Sequence, residues 1–215
     1  MPASLLLQGL SRYLGREELS LLAGVTVGVA GAGGLGSNVA LLLARTGVRR
    51  FLVVDADTIE PSNLNRQQYF PEDVGAFKVD ALARTLHRLD GGIGVATEKL
   101  RVDEANAASL VGRADLWVEA FDGPESKRVI VEAALRSGRF VASASGMAGW
   151  GGAPMRRREL GLLVAVGDFE RDIRDYPPLA PRVTQAAAML ADAVVCRILG
   201  PCRPLGERPL PEGRR

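Results

Sequence analysis

Three glycines, Gly31, Gly33 and Gly36, stand in GAGGLG directly after an apolar β-branched run and at the opening of a helical pattern. That spacing suits a phosphate. Gly31 permits a tight turn, Gly33 lets the main chain approach an anion, and Gly36 lets the helix pack on the strand. The free N–H groups of the helix start, Gly34 among them, then face the negative charge. Asp55 ends the next apolar run, where a carboxylate can accept both ribose hydroxyls. A nucleotide is the expected ligand.

The stretch after that acid, DADTIEPSNLNRQQYF (55–70), narrows the choice. A dinucleotide's diphosphate is neutralised mainly by the helix N-terminus and gives no reason for cations near the second strand. A triphosphate brings about four negative charges, and displacement at phosphorus needs them held. Arg66 can fork two phosphate oxygens. Asn63 and Asn65 offer neutral donors, and Lys78, at the start of the next helix, adds a mobile point charge. Asp122 ends the WVEAFD run, and a lone carboxylate beside phosphates suits Mg²⁺. Asp57 is a second candidate for the metal or for orienting Arg66. No Ser–His–Asp or Cys–His set accompanies these groups, so the chemistry expected is positioning and charge neutralisation rather than attack by a side chain.

Elements must bring these residues together. Helical spacing runs through 4–22. VTVGVAG (25–31) reads as a strand, LGSNVALLLARTG as a helix stopped by Gly47, and RRFLVVDAD as a second strand whose nearly continuous apolar run fits burial on both faces. Val79, Leu82, Leu86 and Leu89 mark the next helix. GVATEKLRV, DLWVEAFD, RFVASASG and LGLLVAVGD read as strands, DEANAASLVG as a short helix, and PESKRVIVEAALRSG as a helix with Pro124 in its first turn. A glycine-rich connection, GMAGWGGAP, precedes the last strand, and PPLAPRV leads into the helix TQAAAMLADAVVCRIL. Alternating strands and helices predict an α/β, Rossmann-like fold: a mainly parallel twisted sheet with helices on both faces and a C-terminal crossover and helix. One ATP-binding domain is expected over 1–200, with an N-terminal helical segment at 1–24. A flexible proline-rich tail is expected over 201–215.

Bulk properties set limits. The chain has 215 residues, 47% hydrophobic and 24% charged, with a net charge of +2. So small a charge gives no reason to expect nucleic acid or a membrane as partner. The RRR at 156–158 reads as solvated surface. The two cysteines, Cys196 and Cys202, form no CxxC pair, so no zinc clip is indicated, and such low usage fits a reducing cytoplasm. The N-terminus lacks the pattern of a signal peptide. Cys196, in an apolar helix, is expected in the core, and His87 on a helix surface. Trp150 either marks a groove for a substrate's tail or anchors the crossover.

Taken together, GAGGLGS, VDADTIEPSNLNRQ, VGAFK and EAFD resemble the ubiquitin-activating enzymes and their bacterial ThiF and MoeB relatives, over roughly residues 10–200. SNLNRQ after D-x-D is a specific signature. The short length, the EAFDGPESK and ASGMAGWGG segments and the missing zinc cysteines are most similar to the shorter branch of the thiamine-pathway ThiF proteins. The resemblance implies a reaction: the Gly-Gly carboxylate of a small ubiquitin-like sulfur-carrier protein attacks the α-phosphate of ATP, giving an acyl-adenylate and pyrophosphate. It implies that Gly33 and its neighbours cradle the phosphates, that Asp55 holds the ribose, that Ser62 to Arg66 and Lys78 stabilise the triphosphate, and that Asp122 carries Mg²⁺. It also implies a homodimer in which an N-terminal arginine, here matched by Arg12, reaches the partner's ATP. Two departures stand out. Asp122 is followed by Gly123 where many relatives have asparagine, and no cysteine lies between Gly146 and Gln185 to take over the activated carboxylate. Three other readings compete: activation of a carboxylate on a modified tRNA base, a non-catalytic carrier-binding scaffold, and a nicotinamide-dependent dehydrogenase.

Overall fold

The computed structural model describes residues 4–202 and Pro204. The predicted N-terminal helix is two helices, α1 (Leu5–Leu10) and α2 (Arg16–Gly24), parted at Ser11–Gly15. Ser4 caps α1 by accepting the Leu7 amide, and Glu18 folds back onto the Gly15 amide at the start of α2. There follow β1 (Thr26–Ala30), α3 (Gly34–Thr46), β2 (Arg50–Val54), α4 (Lys78–Leu89), β3 (Gly94–Glu98), α5 (Ala107–Val111), β4 (Leu116–Glu119), α6 (Pro124–Arg136), β5 (Phe140–Ala144), β6 (Arg156–Leu160), β7 (Leu163–Gly167) and α7 (Ala180–Leu199). Short 3-10 turns at Pro61–Asn63 and Pro71–Asp73 shape the long loop between β2 and α4.

The strands form one sheet in the order β3-β2-β1-β4-β5-β7-β6. All neighbours pair in parallel except β6 with β7. The sequence pattern gives no strand over β6. The arginine run read as plain surface is an antiparallel edge strand, its side chains paired outward: Arg156 with Glu170, Arg157 with Glu159 and Asp192. A charged edge resists pairing with another chain. α7 begins at Ala180, taking in APRV that the sequence left to the connection. Pro181 costs nothing there, because its missing N–H falls in the first turn. The tail expected from 201 lies almost entirely outside the described residues.

Strand alternation assigns the two faces. Val27, Val29, Phe51, Val53, Leu116 and Val118 point into one apolar cluster with α3, α4 and α7. Ala30, Leu52, Val54, Trp117 and Val141 point into the other, with α5 and α6. Gly28 faces Trp117, its register partner on β4. A Cβ at Gly28 would lie 2.5 Å from the indole, so the ring fills the space that the glycine leaves. Each face thus buries its own set of large side chains, and the carboxyl ends of β1, β2, β4 and β5 line one edge. β1 stands between β2 and β4, where the strand order reverses, and that is where doubly wound sheets open a crevice.

Candidate functional site

The turn from β1 to α3 lies in that crevice. Gly31 has φ of 100°, a left-handed conformation open to glycine, and a Cβ there would be 2.6 Å from the Ala120 carbonyl oxygen at the end of β4. A Cβ on Gly36 would overlap the Gly31 carbonyl outright. Gly33, the N-cap of α3, makes no side-chain cap. The first-turn N–H groups of this 13-residue helix are left for an anion.

The loop after β2 wraps this turn. Asp55 is buried, and both its oxygens accept main-chain amides: Oδ2 from Ala32 at 2.7 Å, Oδ1 from Asp57 at 2.8 Å. Burial raises its pKa above the ordinary carboxylate range, against the opposing pull of those amides and Lys78. The expected ribose acid therefore also ties the glycine-rich turn to its covering loop. Tyr69 donates to the Ala32 carbonyl at 2.6 Å. Burial, with Asp55 nearby, pushes its hydroxyl far above the usual range, so it stays a donor. Ser37 bonds the Gly33 carbonyl at 2.7 Å and accepts the Gln68 amide. Asn38 donates to the carbonyls of Gly34 and Arg66 and accepts from Gln68 Nε2.

Nothing in the sequence pattern singles out Ser37, Asn38, Gln68 or Tyr69. Their only signal was polarity inside the stretches GLGSN and RQQYF, which periodicity does not read.

The charged residues converge on the same place. Arg66 lays its stem over the first residue of α3: a Cβ on Gly34 would be 3.4 Å from Arg66 Cγ and 3.5 Å from Cδ. Its guanidinium donates to the Ser62 carbonyl at 3.0 Å and Asn65 Oδ1 at 2.8 Å. Lys78, only 8% exposed at the start of α4, pairs with the exposed carboxylate of Asp57 at 2.8 Å. Asp57 thus faces Lys78 rather than Arg66. Ser62 donates to Glu60. The amides of Asn63 and Asn65 are engaged within the protein. Asn63 bonds Ser62 Oγ and the Glu60 amide, closing the 3-10 turn, and Asn65 donates to the Pro178 carbonyl at 3.1 Å, joining the loop to the crossover.

Asp122 is exposed just past β4, at the same sheet edge. Buried Glu119 holds that strand end by accepting the Phe121 amide at 2.7 Å and the Ser143 hydroxyl at 2.6 Å and by pairing with Lys127. Among the described residues no group of three or more His, Cys, Asp or Glu could enclose a metal. One open carboxylate beside a phosphate cradle fits Mg²⁺, which takes one or two carboxylates plus phosphate oxygens and water.

Arg12 is not brought here. It follows α1, whose Leu10 packs at Gly47, the opposite end of α3 from Gly33. The length of α3 puts roughly 20 Å between them.

The crossover is pinned from below. Arg182, buried in the first turn of α7, pairs with Asp168 and donates to the carbonyls of Gly151 and Ala153. Trp150 is 70% exposed, its carbonyl held by Arg171 at 2.7 Å. Cys196 is half-buried in α7 and Cys202 exposed. No helix among the described residues is long and apolar enough to cross a membrane.

Comparison with known proteins bears on the fold and the family. The chain is 30% identical over 178 residues to the adenylyltransferase and sulfurtransferase UBA4 of Eremothecium gossypii, a match spanning 81% of this chain and 37% of that protein. It is 32% identical over 199 residues to the adenylyltransferase and sulfurtransferase MOCS3 of Sus scrofa, spanning 88% and 42%. The chain thus covers less than half the length of these relatives. Among solved structures, the E. coli tRNA N6-threonylcarbamoyladenosine dehydratase TcdA in complex with ATP superposes with a TM-score of 0.79 at 21% identity, covering 88% of this chain and 91% of that one. E. coli MccB with ATP gives 0.68 at 24%, covering 87% and 60%. At these identities the structural likeness shows a shared fold. The ThiF family model matches residues 6–199, nearly all of the described chain, and the protein belongs to the ThiF family.

Proposed function

We propose that the chain uses ATP to adenylate the C-terminal Gly-Gly carboxylate of a small ubiquitin-like sulfur-carrier protein. The observation that carries this reading is the position of Arg66. Its stem crosses the first residue of α3, and a cation carried that close to a helix N-terminus is unfavourably placed, because that end already bears positive charge. It becomes favourable when an anion lies between them, and an ATP phosphate is such an anion.

In the reaction a carboxylate oxygen of the carrier bonds to the α-phosphorus. The bond from that phosphorus to the oxygen bridging to the β-phosphate breaks, and pyrophosphate leaves with the electron pair. A carboxylate approaching a polyanion needs charge neutralisation and alignment more than a base. Gly33, Gly34 and the α3 amides hold phosphate, Asp55 holds the ribose, and Arg66 and Lys78 stabilise the charge that develops. Asp122 would hold Mg²⁺, which when bound neutralises phosphate oxygens. Ser62, Asn63 and Asn65 serve by shaping the loop that carries Arg66. The names of the relatives, which join adenylyl to sulfur transfer, support a sulfur carrier as substrate. A place in thiamine thiazole synthesis rests on the resemblance to the short ThiF branch. A homodimer with Arg12 acting in trans belongs to the same proposal, since Arg12 is far from the site within one chain.

ATP–pyrophosphate exchange with Mg²⁺, with and without a Gly-Gly-ended carrier, tests this reading. Exchange that requires the carrier's free C-terminal glycine supports it. ATP binding without carrier-dependent exchange overturns it, and exchange on addition of modified tRNA would move the substrate to a base-borne carboxylate.

A further inference from the structure

Gln67, next to Arg66, has a side chain that nothing in the fold explains. It is only 8% exposed, and its Oε1 is fully buried without a hydrogen-bond partner. Its neighbours in the chain are all used: Arg66 in the loop, Gln68 on Asn38, Tyr69 on Ala32. Gln67 Nε2 faces the phosphate turn, 3.7 Å from where a Cβ on Gly33 would stand. A buried amide with an unmet acceptor is costly in the free protein, and a leucine of similar size would pack there without that cost. An amide kept in such a place is explained by a ligand that completes it.

We propose that Gln67 is a nucleotide contact of the cradle. Its Nε2–H donates to a phosphate oxygen seated over Gly33, and this charge-assisted bond offsets the cost of holding Oε1 buried without a partner. A neutral amide suits the position beside Arg66. It adds a donor without adding charge. The inference deepens the adenylation reading, since it rests on a phosphate occupying the turn.

The test is calorimetric titration of ATP, ADP and AMP into the wild-type protein, Gln67→Leu and Gln67→Glu, with thermal melts of each without nucleotide. The expected result has three parts. Gln67→Leu melts no lower than wild type, because an unpaired buried acceptor is gone. It binds ATP and ADP about 10- to 100-fold more weakly, the range for a hydrogen bond to a charged group. Gln67→Glu binds them more weakly still, since a carboxylate would then face phosphate. ATP affinities within twofold of wild type in both variants overturn the role of Gln67 while leaving the adenylation reading standing. Absence of ATP binding by the wild-type protein overturns both.

Discussion

Gly36 sits so close to Gly31 that a Cβ on it would fall inside the van der Waals envelope of the Gly31 carbonyl oxygen. The two glycines lock the turn between β1 and α3 against itself, and Gly31 locks it against the end of β4. Gly33, between them in sequence, is different. The nearest atom to its missing Cβ is 3.7 Å away. The fold therefore requires two of the three glycines and leaves space at the third.

Gly33→Ala should thus fold with a melting temperature close to wild type while losing ATP binding, because the new methyl occupies the phosphate position. Gly36→Ala should fail to accumulate as folded protein. Circular-dichroism melts and ATP titration of both variants check this, and a Gly33→Ala protein with wild-type ATP affinity would show that the space serves no ligand.

Arg66 and Lys78 are expected to fail in activity rather than in folding. The Arg66 guanidinium bonds only its own loop, and the partner of Lys78 is a 69% exposed carboxylate that water can resolvate. Arg66→Ala and Lys78→Ala should each lower carrier-dependent ATP–pyrophosphate exchange by about 10²- to 10³-fold, the scale for one preorganised donor. Folded variants with undiminished exchange would remove these residues from the chemistry.

Six of the seven strands and the glycine turn are legible in the sequence because each follows from a local rule, β-branched runs and glycine spacing. What was not legible depends on contact. The arginines of β6 read as surface because an edge strand with salt-bridged side chains has no apolar alternation. The break between α1 and α2 is hidden because apolar residues on both sides keep a helical period. Asn63 and Asn65 read as ligand donors, and only the folded chain shows that their amides also hold Glu60 and Pro178. Gln67 closes the SNLNRQ signature, but only its burial distinguishes its side chain from its neighbours.

Acid should loosen the N-terminal helices first. Asp90, buried after α4, takes a forked pair from Arg49 and the Ser4 hydroxyl from the start of α1. The Arg49 hydrogen bonds, helped by Ser4 and the Gly92 amide, hold its pKa well below the ordinary carboxylate range. Its folded pKa being depressed, its contribution is complete above the unfolded carboxylate pKa, near 4. It is lost as pH falls below that toward the folded value. Asp90→Asn should destabilise the protein at neutral pH by about 3 kcal/mol, since a buried guanidinium loses its partner. The gap between mutant and wild type should close as pH falls below 4. Urea melts at several pH values give the comparison, and a gap that stays constant with pH would separate Asp90 from the effect.

Arg182 should control the crossover separately from ATP. Its guanidinium holds the Gly151 and Ala153 carbonyls and pairs with Asp168, which in turn accepts the amides of Glu170 and Arg171. Arg182→Met strands the Asp168 charge and frees the glycine-rich segment, at a cost of about 3–5 kcal/mol for a broken buried pair. Asp168→Asn with Arg182→Met removes both charges and should recover part of that stability. It leaves the Gly151 and Ala153 carbonyls without their donor. Both variants should therefore exchange amide hydrogens faster across 146–154 and lose carrier-dependent pyrophosphate exchange, with ATP affinity changed far less. A double variant that regains stability, yet keeps the loop as protected as in wild type, would show that the Arg182 contacts to the loop carbonyls are incidental to its order.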